Sequence, residues 1–396
     1  MQPVVAGHNT PVHVTVLGAT GSIGKSTIDL IEGHREKFKV RALVGGKNTA
    51  LLADQAKRVH AECAVIADST LYSDLKERLA GTGIAVAAGK QAVLDAASLP
   101  VDWTMAAIVG AAGLEPTLQA IRQGKTVALA NKESLVCAGA FMMDAVRAHG
   151  TTLLPVDSEH NAVFQVLDPA RRSLLKRIIL TASGGPFLRK TRDELSGITP
   201  EQAIRHPTWS MGAKISVDSA TMMNKSLEII EAAYFFNLKS EDIDVLIHPQ
   251  SIIHSMVEYH DGSILAQLGA PDMRTPIAYT LGWPTGVKTT GSFLDLNSKI
   301  NLDFEPIDLK RFPAVSQARN ALKSAGGYPA VMSAANEIAV DAFLSGGLQF
   351  SAIENVVDQV LQIVKIGTIS NLGDVFDIDA LARDTARHVI ARLTGE

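Results

Sequence analysis

Between Val12 and about Leu154, short apolar runs alternate with helix-length segments, and this rhythm constrains the chain more than any other feature. The runs read VHVTVLG from Val12, VRALV from Val40, CAVIA from Cys63, IAVAA from Ile84, WTMAAIV from Trp103 and TVALA from Thr126. Most are continuously apolar rather than alternating, as strands are when both faces of their sheet are covered. Ile23–Glu32 and Ala50–His60 have helical length between them. Strands that alternate with helices build parallel, doubly wound sheets. The expectation is a Rossmann-like domain over residues 1–155 of an α/β protein.

Past Val156 the texture changes. Gly-Gly-Pro, His-Pro and His-Pro-Gln clusters interrupt the pattern, and Asp261-Gly262 separates Ile252–Tyr259 from Ser263–Gly269. Asp-Gly favours a tight hairpin turn, so residues 156–284 read as a loop-rich α/β domain with an antiparallel element. Residues 285–312 read as a connection. Val315–Ala325, Ala330–Leu344, Ile353–Val364 and Ile378–Leu393 then carry helical periodicity, which predicts a C-terminal helical bundle over 313–396. A chain of 396 residues is long enough for two or three domains.

Composition excludes several classes. The net charge of −4 offers no basic footprint for a nucleic acid. No apolar run has the length of a membrane span. Cys63 and Cys137 lie far apart without metal-type spacing, as expected in a reducing compartment. The start, MQPVVAGHNT, lacks the marks of a signal peptide. The expectation is a cytoplasmic protein.

The first run ends in Gly18-Ala19-Thr20-Gly21-Ser22-Ile23-Gly24. Glycines there let the backbone approach a phosphate, while the next helix offers free N–H groups to a pyrophosphate. The spacing is G-x-x-G-x-x-G, so the motif carries weight only through its strand–helix context; a plain turn is the alternative. At the end of the second run, Gly45-Gly46-Lys47-Asn48 stands where NAD-binding sheets usually place a carboxylate. A lysine and an amide suit a 2′-phosphate, hence NADPH; a solvated loop lysine is the alternative.

LLPVDSEH, from Leu153, raises a different question. If Val156–Glu159 is extended, Asp157 and Glu159 point to one side. Two carboxylates there repel unless something positive lies between them. A divalent cation would serve, and all-oxygen ligands favour Mg²⁺ or Mn²⁺ over zinc. The alternative is an acidic helix start, with Ser158 or Asp157 capping a helix over His160–Leu167. Further on, Ser219, Asn224, Lys225 and Glu228 gather near a helix start. A lysine, an amide and a hydroxyl together suit a phosphate, and Glu228 could supply a third oxygen to the cation. A Lys–Glu surface pair is the competing account. Thr181-Ala182-Ser183-Gly184-Gly185 could free backbone N–H groups for an anion. Trp209, in His206-Pro207-Thr208-Trp209, suits a lid over a ligand, or a tryptophan tucked onto its own domain. Asn131-Lys132-Glu133 ends the TVALA strand at the edge where doubly wound sheets hold ligands. His248 and His254 read first as structural histidines, with His254 also a candidate substrate contact.

Taken together, GATGSIG, GKN, ANKESLV, VDSEHNA, TASGGPF, HPTWSMGAKISVDSATMMNKSLE and HPQSIIHSMVEY resemble the 1-deoxy-D-xylulose 5-phosphate reductoisomerase family. The resemblance runs in order from about Val12 to Trp283, with no departure at a motif position. It implies an enzyme that rearranges 1-deoxy-D-xylulose 5-phosphate and reduces the product with NADPH to 2-C-methyl-D-erythritol 4-phosphate, for isoprenoid precursors. It implies Asp157, Glu159 and Glu228 as ligands of Mg²⁺ or Mn²⁺, with Co²⁺ a third candidate. Ser183, Ser219, Asn224 and Lys225 would hold the substrate phosphate. Ser158, Lys132 and His206 would contact the substrate, with Glu159, Glu228, Trp209 and His254 beside them. Lys132 and His206 would join the three acids as catalytic residues. Thr20, Gly21, Ser22, Ile23, Gly46, Lys47, Asn48, Asn131, Glu133, Met211 and Gly212 would line the NADPH site. A lid over about 184–213, including Trp209 and Met211, would close over both ligands. The resemblance also implies a homodimer and inhibition by fosmidomycin. Two rival readings are a metal-free NADPH dehydrogenase of a phosphorylated ketone and a nucleotide-sensing protein without catalysis. The first leaves the three acids without a task, and the second needs only the glycine loop.

Overall fold

The computed structural model describes residues 10–191, 193–209, 211–324, 326–367, 369 and 371–395. The signal-peptide expectation falls on residues 1–9, outside the described residues. The chain divides into two compact units. One holds the described residues through Asn131, with Met142–Asn161 and Asp272–Ser292; the other holds Lys132–Phe141, Ala162–Pro271 and the chain from Phe293.

The first unit begins with the expected alternation. In chain order come β1 (Val12–Leu17), α1 (Ser22–Glu32), β2 (Phe38–Gly45), α2 (Thr49–Arg58), β3 (Cys63–Ile66), α3 (Tyr72–Arg78), β4 (Ala85–Ala88), α4 (Lys90–Ala97), β5 (Trp103–Ala106), α5 (Leu114–Ile121) and β6 (Thr126–Leu129). A long helix, α6 (Lys132–His149), precedes β7 (Thr152–Pro155). The strands form one seven-stranded sheet in the order β4-β3-β2-β1-β5-β6-β7, and every pairing is parallel. The order reverses between β1 and β5, the point where doubly wound sheets open a crevice at their carboxyl ends. Val14, Val16, Leu43 and Met105 are fully buried, which is why these strands read as continuous apolar runs.

One segment joins this unit against the order of the sequence. The helix over Arg274–Leu281 places Ile277, Ala278 and Leu281 in the same core as Val14, Val16 and Trp103. The indole of Trp103 donates to the carbonyl of Thr280 at 3.0 Å. Division at 155/156 and 284/285 therefore does not follow the compact units, because the apolar face of this helix finds its partners 177 residues back along the chain.

The second unit carries α7 (Ser158–Val166) from Ala162 on, then β8 (Leu175–Ala182), α8 (Pro200–Ala203), α9 (Ala213–Ala220) and α10 (Met223–Phe235). β9 (Ile243–Ile247), β10 (Ile253–Tyr259), β11 (Ile264–Leu268) and β12 (Glu305–Pro306) complete a five-stranded sheet in the order β11-β10-β8-β9-β12. The β10–β11 hairpin turns at Asp261-Gly262 as expected, with Gly262 at φ 86°. β8 and β9 run parallel, so the sheet is mixed. With α11 assigned to Arg274–Leu281, the C-terminal helices are α12 (Ala314–Ser324), α13 (Tyr328–Leu344), α14 (Ile353–Ile363) and α15 (Leu372–Thr394). Val331, Ala335, Phe343, Val357 and Ala386 are buried in one core with Val217, Leu227 and Ile230 of α9 and α10. The helical bundle thus packs on the helices that carry the polar motif, rather than forming a core of its own.

Candidate functional site

The glycine turn of the first unit is built by backbone contact. Gly18 sits at φ 92°, and a Cβ there would lie 2.3 Å from the carbonyl oxygen of Ala107, just past β5. A Cβ on Gly24 would lie 2.3 Å from the carbonyl oxygen of Gly18. The first and third glycines therefore have no room for a side chain. Gly21 is different: its nearest neighbour would be 3.4 Å away, and it stands before α1, which has no side-chain cap. Thr20 and Ile23 are half-buried, while Gly21 and Ser22 are exposed. An uncapped helix start at the switch point of a parallel sheet is suited to a phosphate.

The polar residues near this turn have structural duties that the sequence did not announce. Gly46, Lys47 and Asn48 are exposed at the end of β2. Asn48 Oδ1 accepts from the N–H of Leu51 at 3.0 Å and so caps α2. Asn131 is buried, and its amide donates to the carbonyls of Ile108 and, at 2.9 Å, Gly110. It holds the loop after β5 in place at the carboxyl edge of the sheet.

The LLPVDSEH corner bends sooner than an extended reading requires. β7 stops at Pro155 and α7 starts at Ser158, with Asn161 N–H donating to the carbonyl of Asp157 at 2.8 Å. Asp157 stands just before the helix and Glu159 in its first turn, so strand alternation does not set their directions. Asn161 also ties back to the carbonyl of Pro155 at 2.9 Å, and Ser158 donates to the Glu159 carboxylate. Asp157, Ser158 and Glu159 are half-buried, and His160 is fully buried.

In the second unit, β8 delivers Ser183 into a turn whose Gly184 and Gly185 have φ of 83° and 68°. A Cβ on Gly185 would meet the carbonyl oxygen of Ser219 at 2.8 Å, so this glycine lets the turn lie against the end of α9. Ser183 Oγ lies 2.9 Å from His206 Nε2. His206 Nδ1 accepts from the N–H groups of Thr208 and Trp209, at 3.1 and 2.9 Å. That assigns the imidazole proton to Nε2, which donates to Ser183. The Ser183 oxygen also accepts from Gly185 N–H at 3.2 Å, leaving its own hydrogen to donate elsewhere, as a phosphate contact needs. Burial holds the His206 pKa below its ordinary value, consistent with a neutral ring. The turn folded around Nδ1 sets the Trp209 ring 5.9 Å from that of His254, which is buried on β10. Met211 is half-buried and Gly212 is exposed before α9.

Between α9 and α10, Met222 takes a left-handed conformation at φ 62°. Ser219 precedes this corner, and Asn224, Lys225 and Glu228 follow it within the first turns of α10. Glu228 is fully buried and Lys225 is 3% exposed, so their ion pair is no surface pair. Lys132, at the start of α6, brings a second ammonium group from 96 residues away. Its Nζ lies 3.2 Å from Glu228 Oε1 and 2.8 Å from Asn224 Oδ1. Asn224 Nδ2 donates to the same carboxylate, so two lysines and an amide converge on Glu228.

Glu133, expected at the NADPH site, has an ion-pair partner of its own. It is 6% exposed, and its carboxylate is engaged by Lys214 Nζ at 2.8 Å. Burial is the largest single influence and would raise its pKa, but the Lys214 charge and hydrogen bond, a backbone hydrogen bond and the Lys132 charge together lower it. Sequence reasoning does not single out Lys214; its local sign is a four-residue spacing from Asp218, the second acid it pairs with.

A doubly wound sheet with a glycine turn at its switch point, and a second unit with a buried lysine–carboxylate cluster, define an α/β oxidoreductase of the dinucleotide-fold class. Models of 1-deoxy-D-xylulose 5-phosphate reductoisomerase match residues 14–139, of its C-terminal domain residues 153–236, and of the DXP reductoisomerase C-terminal domain residues 268–385. The chain belongs to the 1-deoxy-D-xylulose 5-phosphate reductoisomerase family. It is 57% identical over 378 residues to the enzyme of that name from Rhodospirillum centenum, covering 96% of this chain and 94% of the relative. Identity to the Zymomonas mobilis enzyme is also 57%, covering 97% and 99% of the two chains. A solved structure of the Zymomonas mobilis reductoisomerase in complex with NADPH superposes with a TM-score of 0.91 at 56% identity, over 96% of this chain and 99% of that one. A DOX-P reductoisomerase in complex with NADPH, fosmidomycin and magnesium gives 0.91 at 39% identity, over 96% and 99%.

Proposed function

We propose that this enzyme rearranges 1-deoxy-D-xylulose 5-phosphate and reduces the product with NADPH to 2-C-methyl-D-erythritol 4-phosphate, with a divalent cation. The observation that carries the reading is the Lys132–Asn224–Lys225–Glu228 cluster, two lysines and an amide gathered on one fully buried carboxylate, in a chain whose relatives bear that name. Asp157, Glu159 and Glu228 are the proposed ligands of the cation. Their oxygens suit a hard ion such as Mg²⁺, and magnesium is named in solved relatives. When bound, the cation polarises the substrate carbonyl and NADPH supplies hydride.

The chain's own residues account for the rest. Lys225, Asn224, Ser219 and the outward hydroxyl of Ser183 bind the phosphate, far from the reacting carbons. Binding energy gained there orients the substrate. Lys132 and His206 contact the substrate, beside Ser158. The His206 turn carries Trp209, which with Met211 covers the bound ligands against His254 and excludes water. In the first unit the start of α1, with Thr20, Gly21, Ser22 and Ile23, receives the NADPH pyrophosphate, and Lys47 faces the 2′-phosphate beside Gly46 and Asn48. Asn131 and Gly212 complete that site. Glu133 is left out because Lys214 holds its carboxylate.

The protein is proposed to work as a homodimer. β11 is an outer strand whose Ile264, Leu265 and Leu268 are 52%, 39% and 45% exposed, a surface that a second copy would cover. Among the described residues no helix is long and apolar enough to cross a membrane; the proposed site of action is the cytoplasm. The deciding experiment follows NADPH oxidation with 1-deoxy-D-xylulose 5-phosphate, with Mg²⁺ and then with chelator, and adds fosmidomycin. Oxidation that needs both sugar phosphate and metal, and that fosmidomycin stops, supports the reading. Oxidation that survives thorough chelation would favour a simple dehydrogenase.

A further inference from the structure

Lys214 lies in the first turn of α9, and the proposed reaction gives it no task. Its ammonium group is 2.8 Å from Glu133 Oε1 and 3.0 Å from Asp218 Oδ2. Asp218 is 1% exposed, and its other oxygen accepts from Asn336 Nδ2 on α13 at 2.8 Å. Beside Asn336, Glu337 pairs with Arg383 of α15 at 2.5 Å, and its Oε1 is buried with no hydrogen-bond partner. Lys214 therefore ties three helices together inside the second unit: α6 through Glu133, its own α9 through Asp218, and α13 through Asn336.

Such a buried network is weak evidence for stability, because an apolar cluster of similar volume would often serve as well. What it provides is location. Glu133 directly follows Lys132, so clamping Glu133 fixes the backbone from which the Lys132 side chain reaches Asn224 and Glu228. The other end of the clamp is on α9, which runs through Ser219 and the left-handed Met222 into the turn carrying Asn224 and Glu228. Lys132 and its targets are thus referred to one another by a bridge that touches none of them.

We infer that Lys214 is a positioning residue: by bridging Glu133 and Asp218 it sets the reach of Lys132 toward Asn224 and Glu228. The inference rests on the function proposed above for Lys132. The test compares Lys214→Met, Lys214→Arg and the double variant Lys214→Met with Asp218→Asn. The double variant removes one half-buried cation and one buried anion, so its net charge in the network is that of the wild type while Glu133 loses its tether. Steady-state kinetics are measured on each, with melting temperatures. The expected result is a kcat lowered roughly tenfold or more in the double variant, at a melting temperature near wild type. KM for NADPH should stay within about twofold, and Lys214→Arg should recover most of kcat. A folded double variant with wild-type kcat would overturn the inference, as would a loss in kcat that tracks melting temperature across all three variants. Wild-type protein that does not turn over the sugar phosphate would instead overturn the functional reading, and this inference with it.

Discussion

The glycine end of the parallel sheet and the lysine–carboxylate cluster of the second unit are both polar sites, yet they are made of different material. The first is made of backbone. Gly18 and Gly24 are there because nothing larger fits, and the nearby amides of Asn48 and Asn131 hold a cap and a loop. The second is made of side chains. Its charges come from α6 and α10, and Glu228 is fully buried among two lysines. A backbone site depends on shape and at Gly18 and Gly24 tolerates no added atom, whereas a side-chain site depends on charge balance.

The largest expected effect breaks the second site. Glu228→Gln keeps the volume but removes the carboxylate charge that Lys132 and Lys225 both engage. Turnover should fall roughly a thousandfold or more, while NADPH binding, measured by fluorescence titration, stays near wild type. Near-normal turnover would remove Glu228 from the proposed metal ligands. Next comes the backbone site. Gly24→Val drives a Cβ into the Gly18 carbonyl oxygen and should cost about 3 kcal/mol of stability, whereas Gly21→Ala should cost about 0.5 kcal/mol or less. Equal losses in a denaturant titration would mean that the three glycines are not distinguished by backbone contact.

A smaller effect sharpens the contrast by placing one charge within the backbone-made site. Lys47→Glu should raise KM for NADPH roughly tenfold and leave KM for NADH unchanged, since NADH lacks the 2′-phosphate. Equal changes for the two cofactors would remove that role from Lys47. The smallest effect is a pH dependence of stability. Burial lowers the His206 pKa in the folded chain, so on acidification the unfolded chain takes up this proton first. Its contribution to stability is present above the ordinary histidine pKa and is lost as pH falls through that value toward the lower folded one. Urea titrations should show the wild type losing more stability over this range than His206→Gln; identical slopes would mean that the ring is not held neutral.

How much of this was legible before folding differs between the two sites for a physical reason. βαβ order, the glycine turn and the Asp261-Gly262 hairpin are set by neighbours a few residues apart, and each lies where the local pattern indicates. The polar motif around Asn224 was equally visible, because spacings of three and four place residues on one helical face. Hidden from a linear reading were the partners. Nothing near Lys132 points to Glu228, and nothing near Glu133 points to Lys214, 81 residues away. Likewise Arg274–Leu281 reads as part of the second domain, although Ile277 and Leu281 complete the core of the first unit.

By itself, then, the sequence determined the class of sheet, the glycine turn after its first strand, the acids and lysines available, and the family those motifs belong to. These depend on periodicity and on spacings shorter than one turn of structure. Only the tertiary structure decided which acid a lysine neutralises, that Glu133 turns inward to Lys214, and that His206 carries its proton on Nε2. Each of those depends on a charge or donor brought from a distant segment, and burial strengthens the pairing only after the chain has closed around it.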